Sequence, residues 1–495
     1  MRCKKFVAAA WCALGMGISP AGAQATDTTG MPTLTLDQAV ALALRNNPDY
    51  LQVVDQINPA AARVRSAYGA FIPTAGGTLT GGYLGTGGIT VSGVPGLTTA
   101  SDQLQSSYSI GLNYSLSAAT FLAPSLQQHN LNAAHADANG ASATLRSNVA
   151  DAYLLVLVDE ANSALQDSLI LSNQVQVDLA RAKMTAGSGT QLDVSKALVD
   201  LGTQRIASIR AHNQVQVDRL SLFQIIGVPQ PQNVVLTTRY GVTAPNFTLD
   251  SVLALAKRTN PALIALEERV KSSVRGVETA KGAYFPSLTA FAGWGGYANQ
   301  YTSKNYVLSS ATGQYQSNVA QCAELDSIRM GAGLAPSASC AFIAPPDTNA
   351  LLKQNNAVKD WAFTSAPFQA GVTLSITVLD GLSRATNLEV AQAQRNDAMF
   401  RVQAQELLLT QSVTSAYLTL EAALQADQLA RQNMEQASLA LKLAQEKYRV
   451  GSATAVDLST QRDDYQRAVQ QLLAATFDYH RAFAALERAV GRPLR

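Results

Sequence analysis

The sequence predicts an α+β membrane protein built from two internal repeats, and three observations predict it. Charged residues vanish in blocks, two of these blocks alternate between apolar and polar positions, and long segments free of Gly and Pro carry seven-residue repeats.

The chain opens with MRCKKFVAAAWCALGMGISPAGAQA. Three positive charges, an uncharged apolar run from Phe6 and the small-x-small Ala21-Gly22-Ala23 form the pattern of a secretory signal, so residues 1–23 read as a signal peptide cleaved after Ala23. Gly15, Gly17 and Pro20 break the run and make it a poor membrane anchor. Trp11 precedes Cys12 where lipidation wants a small residue. Removing Arg2, Lys4 and Lys5 from the 37 basic residues leaves 34 against 35 acidic ones, so the mature chain has no basic excess to offer nucleic acid. Cys3 and Cys12 leave with the signal. Cys322 and Cys340 remain, and an even pair in an oxidising compartment most simply forms one disulfide.

No Asp, Glu, Lys or Arg occurs between Arg65 and Asp102, Asp102 and Asp137, Lys281 and Lys304, or Asp360 and Asp380. In SYSIGLNYSLS, Tyr108, Ile110, Leu112, Tyr114 and Leu116 fall on one face and Ser109, Gly111, Asn113 and Ser115 on the other. In FQAGVTLSITV, Phe368, Ala370, Val372, Leu374, Ile376 and Val378 alternate with Gln369, Gly371, Thr373, Ser375 and Thr377. Both have the length of tilted membrane-spanning strands, apolar outward and polar inward. Segments 76–92 and 287–298 are the expected partners, giving two hairpins. A half-buried sheet in a soluble domain explains the alternation but not a second face without charges. Four strands cannot close a barrel, because even small barrels use about eight; either further strands exist or several chains share one barrel.

Helix is expected for most of the remainder. From Ser383 to Arg449 there is neither Gly nor Pro, about 100 Å of helix at 1.5 Å per residue. Ala416, Ala423, Ala430, Ala437 and Ala444 recur every seven residues, with Leu420, Met434, Leu441 and Tyr448 four positions further on, broken only by Asp427. After Gly451 a second heptad runs back through Leu458, Tyr465, Leu472, Tyr479 and Leu486, accompanied by Ala468, Ala475, Ala482 and Ala489. A strict heptad keeps its seam on a partner only if the helices supercoil. VGSAT is therefore the tip of a long antiparallel coiled-coil hairpin, and AGSGT, around Gly187, the tip of another.

The chain then resolves as a repeat. LTLDQAVALALRNNP (34–48) matches FTLDSVLALAKRTNP (247–261) at an offset of 213 residues, as AFIP (70–73) matches AYFP (283–286). VADAYLLVL (149–157) matches VTSAYLTLE (413–421), and IGVP (226–229) matches VGRP (490–493), both at 264. The first repeat is 24–246, with strand hairpin about 76–118 and tip near 187–190. The second is 247–495, with strand hairpin about 287–378 and tip near 450–454. The offset difference places an insertion in the second, read as a long loop over 299–365 that holds both mature cysteines.

These residues resemble the TolC-like outer-membrane efflux proteins. The resemblance rests on the twice-used TLDxxxxLAxxxNP, the AYFP-type entry to each hairpin and the GSxT-x-x-D tips, and covers essentially the whole mature chain. It implies a homotrimer whose four strands per chain make a 12-stranded β-barrel in outer-membrane lipid. An α-helical coiled-coil tunnel would cross the periplasm, with residues 227–261 and the C-terminal end in an equatorial belt. It further implies a passive conduit for small toxic compounds or proteins, working with a periplasmic adaptor and an inner-membrane pump of RND, ABC or MFS type. Gly187, Ser188, Gly451 and Ser452 would be adaptor-docking tips, and Asp457, Tyr448 and Asp193 a periplasmic gate. The chain departs from the family pattern at Ala453, where a gate Arg is expected, and at Thr460, where a second ring Asp is expected; Arg449 is an alternative tie. Asp457 is equally a carboxylate favoured by the start of a helix.

An enzyme is not expected. His129, His135, His212 and His480 lack metal-ligand spacing, no phosphate-binding loop occurs and no cofactor is implied. The other reading weighed is a periplasmic adaptor or another coiled-coil envelope protein, which would need one helical hairpin and a soluble β-domain.

Overall fold

The computed structural model describes residues 33–85, 102–231, 234–237, 241–337, 342–355 and 357–494. The expected signal peptide, the end of the first predicted strand and Cys340 lie outside the described residues. In chain order the elements are β1 (Thr33–Leu34), α1 (Leu36–Asn46), α2 (Pro48–Asp55), α3 (Ile57–Gly69), β2 (Thr74–Leu84), β3 (Gln103–Leu116), α4 (Ala118–Thr185), α5 (Gln191–Ile226) and β4 (Val235–Leu236). There follow α6 (Leu249–Thr259), α7 (Pro261–Gly282), β5 (Ser287–Tyr301), α8 (Lys304–Gly331), α9 (Thr348–Gln354), β6 (Thr364–Ser365), β7 (Gln369–Ser375), α10 (Ser383–Arg449) and α11 (Ala455–Val490). They form two compact units, one from the described residues of Met1–Asp55, Ala136–Ile264 and Gln405–Arg495, the other from Gln56–His135 and Ala265–Ala404.

The second unit holds the sheet, an antiparallel run β2-β3-β5 continued by β6 and β7, both of which pair with β5. Its register sets Ile110 opposite Trp294, Leu112 opposite Ala292, Ala290 opposite Val372 and Leu288 opposite Leu374, so the apolar positions expected from the alternation line one continuous face. Much of that face is bare, with Trp294 49% exposed and Val372 and Leu374 each 70%, while toward the end of β5 Ala298 is covered, at 2%. The other face carries Thr78 against Ser109, with hydroxyls 2.7 Å apart, and Thr289 against Thr373. Phe291 sits on this polar face opposite Gly371, where its ring occupies the space a Cβ would take. Three residues, Ala366 to Phe368, oppose two on β5, Trp294 and Gly295, which makes a bulge at Pro367, the residue without an N–H to donate.

Segment 299–365 is not the long loop expected from sequence. It contains α8, 28 residues capped by the Ser303 hydroxyl, which accepts from Tyr306 N, and then α9, capped by Asp347. With no proline and only Gly313 in its interior, α8 has nothing in its sequence to break a helix. Because it has no counterpart in the first half, the matched offsets said nothing about its conformation. α8 carries Cys322, which is disulfide-bonded. The charge-free block after Asp102 likewise runs past β3 into α4.

In the first unit, two Thr-capped helices are built alike. Thr35 and Gln38 form a reciprocal capping box at α1, and Thr248 and Ser251 do so at α6. Asn47 donates to Ile225 O at 2.8 Å and accepts from Tyr50 N; Asn260 donates to Ala489 O at 2.9 Å and accepts from Leu263 N. Each buried amide thereby ties a short helix to the last turn of a returning long one, which Gly227 (φ 82°) or Gly491 (φ 86°) then ends. One core joins Leu34, Ala39, Ala43, Leu145, Val149, Tyr153, Leu222 and Ile226, and Tyr153 Oη donates to Leu34 O at 2.7 Å. The parallel pair β1–β4, two residues each, closes this core and was not expected from sequence.

Of the predicted heptads of the α10–α11 hairpin, Leu420, Ala423, Ala430, Ala444 and Tyr448 on one helix and Leu458, Ala468, Tyr479, Ala482 and Leu486 on the other are buried, while Ala416, Met434, Ala437, Leu441, Tyr465, Leu472, Ala475 and Ala489 are half-buried. Asp427, which breaks the repeat, is 1% exposed; it accepts from Arg431 Nε at 2.7 Å and from Thr476 Oγ1 at 2.6 Å. The α4–α5 hairpin also buries apolar residues, among them Val156, Val177, Val194, Leu201, Val215 and Leu222, and adds polar pairs between its helices. Gln204 Nε2 donates to Gln166 Oε1 at 2.7 Å, Ser208 Oγ to Asp167 Oδ1 at 2.7 Å and Arg219 Nη2 to Glu160 Oε1 at 2.6 Å.

Candidate functional site

The candidate site is the pair of hairpin tips, both within the first unit. α4 ends with Ser188 N donating to Lys183 O at 2.9 Å across Gly187 (φ 75°); α10 ends with Ser452 N donating to Lys447 O at 2.9 Å across Gly451 (φ 80°). The left-handed conformation is open to glycine at no steric cost. Ser188 Oγ and Ser452 Oγ donate to the same two carbonyls, at 3.3 and 3.1 Å, so each tip satisfies the end of its first helix without a partner.

The following helices start with matched caps. Thr190 N and Oγ1 donate to Asp193 Oδ2 at 2.9 and 2.7 Å, and Asp193 N donates back to Thr190 Oγ1 at 3.2 Å. Thr454 N and Oγ1 donate to Asp457 Oδ2 at 3.0 and 2.8 Å, and Asp457 N donates back at 3.1 Å. The bond from Thr454 N, then that from its hydroxyl, holds the Asp457 carboxyl below its ordinary value; for Asp193 the Thr190 hydroxyl comes first, then Thr190 N, with the charges of Lys183 and Lys196 adding to the effect. Both carboxylates are therefore ionised at neutral pH, and both serve as helix caps.

Tyr448 is buried with Ala444 and Leu458, against Leu179, Leu441 and Ala453. Ala453 thus fills an apolar position where the resemblance expects an arginine. Thr460 Oγ1 donates to Val456 O on its own helix, and Arg449 pairs with Glu446, one turn back, at 3.0 Å. Lys183 was not singled out by the sequence, yet its Nζ lies 3.5 Å from the centroid of the Tyr448 ring and donates to Tyr448 O at 3.4 Å. Its position four residues before Gly187, as Lys447 stands before Gly451, was the available signal. Deeper in the helices, Arg462 Nη1 donates to Asn173 Oδ1 at 2.5 Å. Of the histidines, His129 bonds Glu268, His212 bonds Asp167 and Ser163, His480 lies against the ring of its neighbour Tyr479, and His135 is exposed. Among the described residues, no cluster of three or more His, Cys, Asp or Glu is placed to hold a metal.

A model of the outer membrane efflux protein family matches residues 39–228 and 355–492. The chain belongs to the outer membrane efflux protein family. The matched parts take in both helical hairpins and their tips and leave out the insertion carrying α8. It is similar to the fusaric acid resistance protein FusA of Burkholderia cepacia, at 26% identity over 53% of this chain and 50% of that protein. It is also similar to the outer membrane efflux protein BepC of Brucella suis, at 23% over 69% and 62%. The aligned chain thus spans about half to three-fifths of these relatives. The CmeC outer membrane channel of Campylobacter jejuni shares the fold, with a TM-score of 0.68 at 14% identity over 92% of this chain and 85% of that one. Like its family, this efflux protein belongs to the outer membrane. Among the described residues no helix is long and apolar enough to cross a membrane, which bears only on helices.

Proposed function

We propose that three copies of this efflux protein form one outer-membrane channel, each contributing the strands β2, β3, β5 and β7 to a 12-stranded barrel, with the two helical hairpins of each copy forming a periplasmic conduit. The observation that carries the reading is the sheet. Its apolar face is exposed across all four strands, and among the described residues β2 pairs only with β3 and β7 only with β5. A bare apolar face asks for lipid, and open edges in a membrane must be paired. Further copies of the chain satisfy both needs. The two halves act as structural repeats, supported by the matched Asn47 and Asn260 bonds and the matched tips.

In this reading the tips are the periplasmic gate and, through Gly187, Ser188, Gly451 and Ser452, the seat of an adaptor that links the channel to an inner-membrane pump. Asp457, in three copies around the axis, would ring the constriction with negative charge. The cargo is chosen by the pump; the fusaric acid relative favours small toxic organic compounds over proteins. Cys322 pairs with Cys340 to staple the extracellular insertion. Membrane fractionation followed by mass measurement of the detergent-solubilised particle tests the core of this reading. Three chains in the outer-membrane fraction are expected; a monomer, or a soluble periplasmic protein of the adaptor kind, contradicts it.

A further inference from the structure

Resting on the channel reading, we infer that β5 carries a ladder of aromatic rings on the wall of the barrel lumen, and that this ladder takes uncharged, planar aromatic compounds as they pass. The face in question is the one opposite Trp294. Strand alternation and register put Thr78, Ser109, Thr289 and Thr373 on it, and across three strands Gly76, Gly111 and Gly293 stand side by side. β2, β3, β5 and β7 contain no Asp, Glu, Lys, Arg or His. This wall therefore offers hydroxyls, amides and bare backbone to water, and nothing that recruits an ion.

Rings interrupt it on one strand. Phe291, Tyr297 and Tyr301 take odd-numbered positions of β5 and so share the lumenal face, about 20 and about 13 Å apart along the strand at roughly 3.3 Å per residue. Tyr306, in the first turn of α8, adds a fourth ring, its centroid 5.1 Å from that of Tyr301. Between Phe291 and Tyr297 the face of β5 holds only Gly293 and Gly295, where a Cβ would come within 2.9 and 2.5 Å of the β3 backbone, so the two rings stand over a flat floor. Phe291 is 45% and Tyr297 51% exposed.

Packing accounts for part of this arrangement. The Phe291 ring covers Gly371 and so helps to hold β5 and β7 in register. It does not account for Tyr297, whose ring meets no other ring and whose hydroxyl bonds no group among the described residues. A ring face turned to water gains by meeting another apolar plane, because stacking adds to the burial of both surfaces and asks for no charge on the ligand. An ionic cargo finds no counter-charge on this wall, whereas a planar aromatic one finds rings at three heights, repeated in each copy of the chain. One stacked ring changes a dissociation constant roughly two- to tenfold.

Saturation-transfer NMR titrations of the full-length protein in nanodiscs, with the chain count of the particle measured on the same sample, test the ladder. The probes are phenyl β-glucoside and cyclohexyl β-glucoside, two neutral, soluble molecules that differ in one ring, planar in the first and puckered in the second. The phenyl compound is expected to bind the wild type about two- to tenfold more tightly than the cyclohexyl one. Tyr297→Leu, which removes a ring that packs on nothing, should lower that preference, and Tyr297→Phe should keep it. Combining Phe291→Leu with Tyr297→Leu should leave the two probes nearly equal. Thermal melting of Tyr297→Leu should match the wild type, which separates a lost contact from a lost fold. If a three-chain membrane particle shows no phenyl preference, or the double variant keeps the preference in full, the ladder is wrong and the channel reading stands. If no three-chain membrane particle forms, the channel reading falls and the ladder with it.

Discussion

The two helical hairpins share a backbone plan and differ in what fills their seams. At an offset of 264 residues, Gly187 corresponds to Gly451, Thr190 to Thr454 and Asp193 to Asp457, and the hydrogen bonds at these positions correspond as well. Along the seams the correspondence changes chemistry. The buried pair Gln166 and Gln204 of the first hairpin stands where Ala430 and Ala468 lie in the second, and Asp159 and Asp218 stand where Ala423 and Ala482 lie. Ser163 with His212, oxygen and nitrogen 3.1 Å apart, stands where Asp427 bonds Thr476. Both hairpins bury apolar positions, Val194, Leu201, Val215 and Leu222 in the first as Leu458, Tyr479 and Leu486 in the second, but the first adds several side-chain hydrogen bonds between its helices where the second has alanine, so tip geometry and seam chemistry are independent properties of this fold.

The largest expected consequence concerns the apolar seam. Leu420→Ala, at a side chain 1% exposed, should cost about 3 kcal/mol through lost burial and a residual cavity. Gln166→Ala in the polar seam should cost about 1–2 kcal/mol, chiefly from the unpaired Gln204. Thermal melting followed by helical circular dichroism compares them; equal losses would erase the distinction between the seams.

A smaller effect should be confined to the first hairpin and to pH. Burial, and then a hydrogen bond that the protonated Asp159 donates to Asp218 and charge repulsion by Asp218, push the Asp159 carboxyl up to about 7 from an ordinary 3.8. The folded chain therefore holds a proton that the unfolded chain loses, and stability should fall as pH rises from about 4 to about 7. Asp159→Asn should remove that slope and raise stability at pH 8 by roughly 1 kcal/mol, allowing for the partial solvation of the site. Melting curves at pH 5 and pH 8 check this, and the second hairpin, with Ala423 and Ala482 in its seam, supplies no matching term. A variant as pH-dependent as the wild type would place the titration elsewhere.

The tips should respond alike. Gly187→Ala and Gly451→Ala meet open space but force an alanine to positive φ, so each should cost about 1 kcal/mol, and unequal losses would show that the tips differ in the assembled protein. Arg449→Gln should change stability least, by about 0.5 kcal/mol or less, because its pair with Glu446 is exposed.

This asymmetry also explains what could be read from sequence. Apolar heptads announce themselves by period, so the α10–α11 seam was legible down to the break at Asp427. The α4–α5 seam carries the heptad Val194, Leu201, Val215 and Leu222, but Ser208 breaks it and Gln, Asp and His are mixed in, so this hairpin was read from its tip and from VADAYLLVL and IGVP, matched to the second half. Strands appeared as charge-free alternation because one face of the sheet is apolar and the other is lined by hydroxyls and glycine. β1 and β4 are too short for any periodicity, and α8 stood in an insertion with no counterpart to compare. At the site, glycine, the Thr caps and the two aspartates were visible as local turn chemistry. Lys183 was not, because its meaning depends on Tyr448, 265 positions away in the chain.

The most direct test of the central claim, that this is an outer-membrane channel closed at its paired tips, is a single-channel recording of wild type beside Asp457→Asn. The wild type should show a small, cation-preferring resting conductance blocked by divalent and trivalent cations from the tip side, since like charges held ionised around an axis draw cations to it. Asp457→Asn should keep the trimer and lose most of the block. An unchanged block and cation preference in the variant would reduce Asp457 to the helix cap it makes with Thr454 and contradict the placement of the gate.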